Sequence, residues 1–203
     1  YTHYRLSVLY RDKARLDEAM ASARTAEALG RSAGEIGVAG LARMSQGLTA
    51  KQRGDIDAAE AALLAAADDF EKLGDKPNLA AAYGNLASLY AVAMSLNPDR
   101  NYNPNAPEQY YHRALDIGYE IRDPGIVSDG NLGLGSIWRD RGDHFGAIEL
   151  FSRALAYYEW VDDRYSIGQA LMNLGTVALR LQDVPRAKAY FSDALRLYAD
   201  LKQ

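Results

Sequence analysis

Small residues recur along this chain in one fixed register. Ser7, Gly47 and Ala87 are spaced forty residues apart, and Gly135 and Gly175 repeat the same step. The one longer step, from Ala87 to Gly135, is forty-eight residues and implies an insertion of eight. Large apolar residues flank each small residue, as in helices that approach one another closely. Five units in one register predict a repeat architecture in which each unit packs on the next.

Each unit is predicted to contain a helix A, a tight turn and a helix B. The turns are Arg53-Gly54-Asp55, Arg141-Gly142-Asp143 and Leu181-Gln182-Asp183, and in each the Asp is expected to cap helix B. Pro185 falls in the first turn of the last helix, where proline is tolerated. The links between units carry the expected caps of the next helix A, namely Glu35, Asp75, Asp123 and Asp163. The predicted repeats are 1–34, 35–74, 75–122, 123–162 and 163–203, which together form a single domain, 1–203.

Composition restricts the classes of function. No run of about 18 apolar residues without charge is evident, so we expect no membrane span. A net charge of -4, with acids and bases interspersed, argues against direct binding of nucleic acid. The absence of cysteine excludes disulfides and favours a cytoplasmic location. The first residues lack both Met and the apolar core of a signal peptide, and we expect both ends to be cut from a longer chain.

The pattern of the fourth unit resembles the tetratricopeptide repeat (TPR). The matching residues are Leu134, Gly135, Trp138, Gly142-Asp143, Ala147, Phe151 and Ala154-Leu155. The forty-residue step is similar to the longer-helix branch of that family, which includes kinesin light chains and the sensor arm of the bacterial maltose-regulon activator. The resemblance implies an all-α, right-handed α-solenoid of five helix-turn-helix repeats, about ten antiparallel helices, with helix A lining a concave groove.

The resemblance also implies which side chains would line the groove. They occupy helix-A positions six, three and two residues before the small residue, and one, four and five after it. The candidate binding residues are Tyr4, Val8, Leu41, Met44, Leu48, Asn85, Ser88, Asp129, Leu132, Ser136, Gln169, Met172, Asn173, Thr176 and Arg180. The first two units thus offer an apolar patch and the last three a polar one. Methionine at helical spacing is also typical of a core, so Met44 and Met172 have both interpretations.

Two asparagines stand out among these candidates. Asn85-Leu86-Ala87 and Asn173-Leu174-Gly175 look like the Asn-Leu-Gly signature of family members that hold extended peptides. An amide can donate to and accept from a peptide backbone, which would fix a ligand without demanding a sequence. The alternative is an asparagine that satisfies the backbone of a neighbouring repeat. The Lys and Asn clamp of the chaperone-binding members is missing here, so such partners are not expected.

The insertion lies between helices A and B of the third unit, within residues 91–107. Three prolines and several asparagines predict a loop there, with helix B beginning near Pro107. Residues 97–108 have the spacing of a calcium loop, but Tyr102 replaces its glycine and only Asp99 and Glu108 are charged at ligand positions. We therefore expect no metal, and instead a rim loop that touches a partner.

Catalytic chemistry is not predicted. The three histidines lie in different units, and no nucleophile motif is present. Carboxylate pairs such as Asp68-Asp69 are expected on solvated faces. We expect no enzyme activity and no cofactor.

Three functions remain open. The first is a scaffold that binds an extended peptide or a partner helix in the groove. The second is the small-effector-sensing arm of a multidomain transcription or signalling regulator. The third is self-assembly as a homo-oligomer through terminal repeats, because the final helix carries Leu195, Tyr198 and Leu201 and then stops.

Overall fold

A computed structural model gives the fold and describes residues 1–201, which contain ten α-helices and no β-strand. The helices are α1 (Thr2–Asp12), α2 (Leu16–Ser32), α3 (Ile36–Arg53), α4 (Ile56–Leu73), α5 (Lys76–Leu96), α6 (Ala106–Ile121), α7 (Pro124–Arg141), α8 (His144–Trp160), α9 (Arg164–Arg180) and α10 (Val184–Asp200). The prediction of an all-α chain of about ten helices is confirmed.

Short turns join the helices, apart from the long connection between α5 and α6. In the turns after α3 and α7 the backbone is left-handed at Gly54 (φ 80°) and Gly142 (φ 93°). Ala14 and Gln182 adopt the same conformation after α1 and α9, with φ of 57° and 61°. A side chain disfavours this conformation by about 1–2 kcal/mol, so these two turns form in spite of their residues.

Aspartate caps begin most of the helices, as predicted. The side chains that accept a backbone N–H bond at a helix start are those of Asp55, Asp75, Asp123, Asp143, Asp163 and Asp183. Glu35 is the exception: it occupies the capping position of α3, but its side chain makes no capping bond. The extra methylene of glutamate places its carboxylate poorly for the N–H groups that a shorter aspartate reaches. Pro185 lies in the first turn of α10, as predicted.

Two compact units divide the chain, residues 1–117 (the N-terminal unit) and residues 118–203 (the C-terminal unit). The division falls within α6. One continuous domain over residues 1–203 stays a prediction, and each unit is described by itself below.

The N-terminal unit has its core where α4 meets α3 and α5. A cluster of buried residues fills it: Ala50, Ile56, Ala59, Leu63, Leu86, Leu89 and Ala93. The predicted small residue Gly47 is needed here, because a Cβ atom on it would lie 2.7 Å from Cγ of Leu63.

The C-terminal unit repeats this arrangement with phenylalanine. A Cβ atom on Gly135 would lie 2.7 Å from Cε1 of Phe151, and one on Gly175 would lie 2.6 Å from Cε1 of Phe191. Phe151 is fully buried and packs with Ala147, Leu174 and Val177. The close approach predicted at Gly135 is therefore present.

A buried ion-pair network ties α2, α3 and α4 together. The prediction that Asp69 lies on a solvated face is wrong: its residue is only 6% exposed. Nη1 of Arg43 lies 2.9 Å from Oδ2 of Asp69, and Nε of Arg43 lies 2.8 Å from Oε1 of Glu27. Removing Arg43 would leave a buried carboxylate without its main counter-charge, a situation that strongly destabilises proteins.

Helix α5 qualifies the expectation about membrane spans. It is 21 residues long and, by length and composition alone, apolar enough to cross a membrane, with 39% of its most apolar window buried. Its Leu86, Leu89 and Ala93 are fully buried in the core of the N-terminal unit. A core helix of a stacked repeat passes the same test of length and hydropathy.

Candidate functional site

The helix-A row is the set of helix positions that the sequence analysis assigns to a groove. In the N-terminal unit these positions lie on α1, α3 and α5, and in the C-terminal unit on α7 and α9. Each of these helices contacts the next one in its unit. The first contact is marked by a buried hydrogen bond of 2.8 Å between the hydroxyls of Ser7 and Ser45. Small side chains at this crossing let α1 and α3 run side by side.

The seven candidates of the N-terminal unit lie on three neighbouring helices and share partial burial. They are Tyr4, Val8, Leu41, Met44, Leu48, Asn85 and Ser88. Leu41 and Met44 also pack against the core, and Met44 contacts two clusters at once. The core interpretation of Met44 is therefore confirmed, and its role in binding stays a prediction.

Polar groups meet between α3 and α5. Nζ of Lys51 donates to Oγ of Ser88 at 2.6 Å, and burial lowers the pKa of Lys51. The Lys51 ammonium has no carboxylate partner among residues 1–201. Asn85 lies one turn before Ser88 on the same face of α5, and within the described part of the chain its side-chain amide makes no hydrogen bond. The Lys51 ammonium, which is a donor, and the Asn85 amide, which is both donor and acceptor, thus lie within about one helix turn of Ser88.

The eight candidates of the C-terminal unit lie on α7 and α9. Asp129, Met172 and Arg180 are exposed, and Leu132, Ser136, Gln169, Asn173 and Thr176 are half-buried. The hydroxyls of Ser136 and Thr176 donate to backbone carbonyls of their own helices, four residues earlier. Those two hydroxyls are therefore less available to a ligand than the sequence suggests.

Arginines join α7 to α9. Nη1 of Arg139 donates to the amide oxygen of Asn173, and Nε of Arg139 lies 2.9 Å from Oδ1 of Asp140. Nη2 of Arg180 lies 3.4 Å from the same Asp140 oxygen. Asn173 thus differs from Asn85, because its acceptor is already occupied by a side chain of the preceding repeat.

Asp129 of α7 forms a hydrogen bond with Tyr158 of α8. The hydroxyl of Tyr158 donates to Oδ1 of Asp129 at 2.7 Å. Although the residue as a whole is exposed, desolvation of its carboxyl group raises the pKa of Asp129, and the hydrogen bond from Tyr158 opposes that shift. Burial, with the adjacent carboxylate second, also raises the pKa of Tyr158. The pair is therefore a phenol hydroxyl donating to the carboxyl group of Asp129.

Three residues that form the polar contacts described above also lie on the helix-A row, but they were not among the candidates. Lys51 and Arg139 stand four residues after Gly47 and Gly135, and Asp140 stands five after Gly135. The resemblance already marks those positions, so the signal was present in the register. The sequence did not reveal that Lys51 would be half-buried without an acid beside it.

No group of three or more His, Asp or Glu side chains among residues 1–201 is placed to hold a metal ion. Nε2 of His112 lies 3.9 Å from Glu108 on the same helix. His144 has a buried Nδ1 with no hydrogen-bond partner in that part of the chain.

Comparison with protein-family models identifies one match. The family described as tetratricopeptide repeat matches residues 128–200, which lie in the C-terminal unit. A search of curated proteins finds no match.

Solved structures match over nearly the whole chain. BtubC (BKLC) from P. vanneervenii has a TM-score of 0.75 at 19% identity, covering 97% of this chain and 78% of that one. A structure of nearly identical TPR-like repeats, assigned to a kinesin light chain of Podospora anserina, has a TM-score of 0.67 at 12% identity, covering 100% and 96%.

RapI in its apo form has a TM-score of 0.72 at 12% identity, covering 96% of this chain and 52% of that one. Identities this low establish the fold alone. The family match and these structures together place residues 128–200 in the tetratricopeptide repeat family and give the whole chain the fold of tetratricopeptide repeat proteins.

Proposed function

We propose that this chain is a protein-interaction module that holds an extended peptide segment along the helix-A row of the N-terminal unit. One observation carries the proposal: the Asn85 amide makes no hydrogen bond within residues 1–201, although it lies one turn from the Lys51–Ser88 contact. An extended peptide exposes one N–H and one C=O group per residue, which are the partners that an asparagine amide can satisfy together.

Lys51 extends this donor set. A half-buried ammonium whose hydrogen bond goes to a neutral hydroxyl is well placed to donate a second bond to a peptide carbonyl or acidic side chain. Met44 and Leu48, on the adjacent α3, are half-buried and supply apolar surface beside it. We expect selected peptides to place an apolar residue near Met44 and a carbonyl or carboxylate near Lys51.

Asn173 has a smaller role in this proposal. Its amide oxygen accepts from Arg139, so a peptide at that point would find only the amide N–H unless Arg139 moves. The two asparagines of the shared motif are therefore unequal, and the difference can be measured.

The test uses a peptide selected from a displayed random library against the whole chain. Its dissociation constant is measured by fluorescence anisotropy for the wild type, Asn85→Ala, Asn173→Ala and the loop control Asn101→Ala. Loss of two hydrogen bonds at about 1 kcal/mol each predicts a weakening of about thirtyfold for Asn85→Ala. Asn173→Ala should weaken binding less, and Asn101→Ala should leave it unchanged. Wild-type affinity in Asn85→Ala would move the site away from this row.

The small-effector alternative belongs to a different class, a sensing arm of a larger cytoplasmic regulator in signal transduction. A cavity beside the insertion favours it, and that cavity is described below. Self-association through the terminal repeats is a third possibility, since Leu195 of α10 is 66% exposed. Light scattering at several protein concentrations tests it, and a constant monomer mass would exclude it.

A further inference from the structure

The insertion lines a half-open cavity in the N-terminal unit. Residues 97–105 fold back beside α4, α5 and α6, and the space between them is about 380 Å³. The side chains that matter are Glu60, Tyr90, Arg100, Tyr102, Tyr110 and Arg113. None of them belongs to the helix-A row. Tyr90 lies two residues after Ser88, about 200° around the helix, so it faces away from the row.

Tyrosine rings form the walls of this cavity. The rings of Tyr90 and Tyr110 are nearly parallel, with centroids 5.7 Å apart and an interplanar angle of 6°. Tyr102, from the insertion, meets Tyr90 edge-on at 6.4 Å. Flat aromatic walls of this kind favour a flat ligand, because stacking and edge contacts both need planar partners. A volume of this size lies within the range of small-molecule sites.

Two charged side chains at the cavity lack an ion-pair partner in the described part of the chain. Arg100 lies 2.6 Å from Asp57 and so has its counter-ion. Glu60 accepts a hydrogen bond from the hydroxyl of Tyr90. Arg113 has no carboxylate partner among residues 1–201; its guanidinium lies 5.5 Å from the ring centroids of both Tyr83 and Tyr110. Glu60 and Arg113 therefore both lack an ion partner among residues 1–201, but the carboxylate already accepts a hydrogen bond, whereas the guanidinium keeps free N–H donors.

One buried group at the cavity also lacks a partner. The hydroxyl oxygen of Tyr102 is buried and makes no hydrogen bond in the described part of the chain. A buried polar group without a hydrogen-bond partner is destabilising. An acceptor reaching this hydroxyl, after a small movement of the ring, would recover part of that free energy.

From these observations we infer that the cavity binds a small planar organic anion, of the class of aromatic carboxylates. The ring would lie against Tyr102 and Tyr110, and the carboxylate would accept from the guanidinium of Arg113. A guanidinium and a carboxylate match in a two-bond fork, which selects this anion over a point charge. The site stands whether or not a peptide binds the helix-A row, and it gives the small-effector alternative a location.

Substitution of Glu60 provides an internal control for the sign of the ligand's charge. Its carboxylate repels an anion and attracts a cation, while Arg113 does the opposite. Glu60→Gln keeps an oxygen to accept from Tyr90 and removes the negative charge. The two substitutions must therefore shift affinity in opposite directions, whereas mere damage to the cavity would weaken binding in both.

The experiment screens the whole chain by ligand-observed NMR against a set of small aromatic carboxylates, their neutral amides and the matching amines. Hits are titrated by calorimetry. The expected result is binding of carboxylates in preference to amides and amines. Arg113→Ala should weaken the best carboxylate by about tenfold, which is the loss of one charged hydrogen-bonded pair. Glu60→Gln should strengthen it severalfold, and Arg153→Ala, at an exposed arginine of α8, should not change it.

Each other outcome overturns the inference. Preference for amines, with the effects of Glu60→Gln and Arg113→Ala reversed, would make the cavity a cation site. Equal binding of carboxylates and amides would remove the role of Arg113. No binding by any member of the set would mean that the cavity is structural. Circular dichroism of each variant, compared with the wild type, separates loss of binding from loss of fold.

Discussion

Adding a single methyl group to one helix glycine should destabilise the protein, and adding it to another should stabilise it. Gly135 lies in α7 against the fully buried ring of Phe151. An added Cβ atom would lie 2.7, 2.9 and 3.2 Å from three carbons of that ring. Carbon atoms are most favourable at about 3.5–4.0 Å. At Gly84, in α5, an added Cβ would meet no atom within 4 Å.

The magnitude follows from two terms of opposite sign. Alanine is favoured over glycine in a helix interior by about 1 kcal/mol, and both variants gain this. Overpacking a filled core destabilises by about 1–3 kcal/mol, and only Gly135→Ala incurs this. Gly84→Ala should therefore raise the free energy of unfolding by about 1 kcal/mol. Gly135→Ala should lie about 1–3 kcal/mol below it, with a net loss of up to about 2 kcal/mol.

Urea unfolding of both variants, followed by circular dichroism, measures the two values. Trp138 and Trp160 both lie in the C-terminal unit, so their fluorescence reports the unfolding of the part that contains Gly135. In a double-mutant cycle, Phe151→Leu should reduce the cost of Gly135→Ala, because the smaller side chain makes room for the methyl group. Equal stabilisation by Gly135→Ala and Gly84→Ala would refute the reasoning.

Two further predictions concern helix ends. Ala14 holds the left-handed position that glycine holds at Gly54 and Gly142, so Ala14→Gly should raise the free energy of unfolding by up to about 1 kcal/mol in urea titrations; a loss of stability would contradict this. Asp163→Ala removes the cap of α9 and should lower that free energy by about 1 kcal/mol at pH 7. Hydrogen bonding from Ser166 lowers the pKa of Asp163, so its contribution is present above the ordinary pKa of aspartate and is lost as pH falls through the lowered value. The difference between wild type and variant should therefore shrink as the pH falls below the ordinary pKa of aspartate, and an unchanged difference would assign the effect to something other than the carboxylate.

The helices could be predicted from the sequence because the same spacing of small residues recurs in five units. The Asp-capped turns and the small residues at Gly135 and Gly175 follow from local spacing, and local spacing is what a sequence displays directly. Glu35 shows the limit of that reasoning. It stands at the predicted position, but its longer side chain makes no capping bond.

The polar contacts were less accessible, because they depend on pairs that are far apart in sequence. The sequence predicts that Asp69 is a surface residue, whereas in the structure it is paired with Arg43 of α3. The cavity beside the insertion likewise needs Glu60 of α4 and Arg113 of α6 to be brought together. Composition indicated a loop within residues 91–107, but its asparagines and prolines do not show which tyrosines the loop would cover.

The two asparagines of the shared motif show why a motif does not by itself define a binding site. Lys51 and Arg139 occupy equivalent positions in their repeats, and each reaches toward the helix A that follows. The lysine ends on Ser88 and leaves Asn85 free, whereas the arginine, with a broader set of donors, takes the amide oxygen of Asn173. The asparagine amide at the same repeat position is therefore available in one unit and occupied in the other. The cause is Arg139, thirty-four residues before Asn173 in the sequence. Arg139→Lys should remove the hydrogen bond to the amide oxygen of Asn173. If a peptide then binds more tightly at the C-terminal unit, Arg139 is the residue that limits binding there, and Asn173 is not.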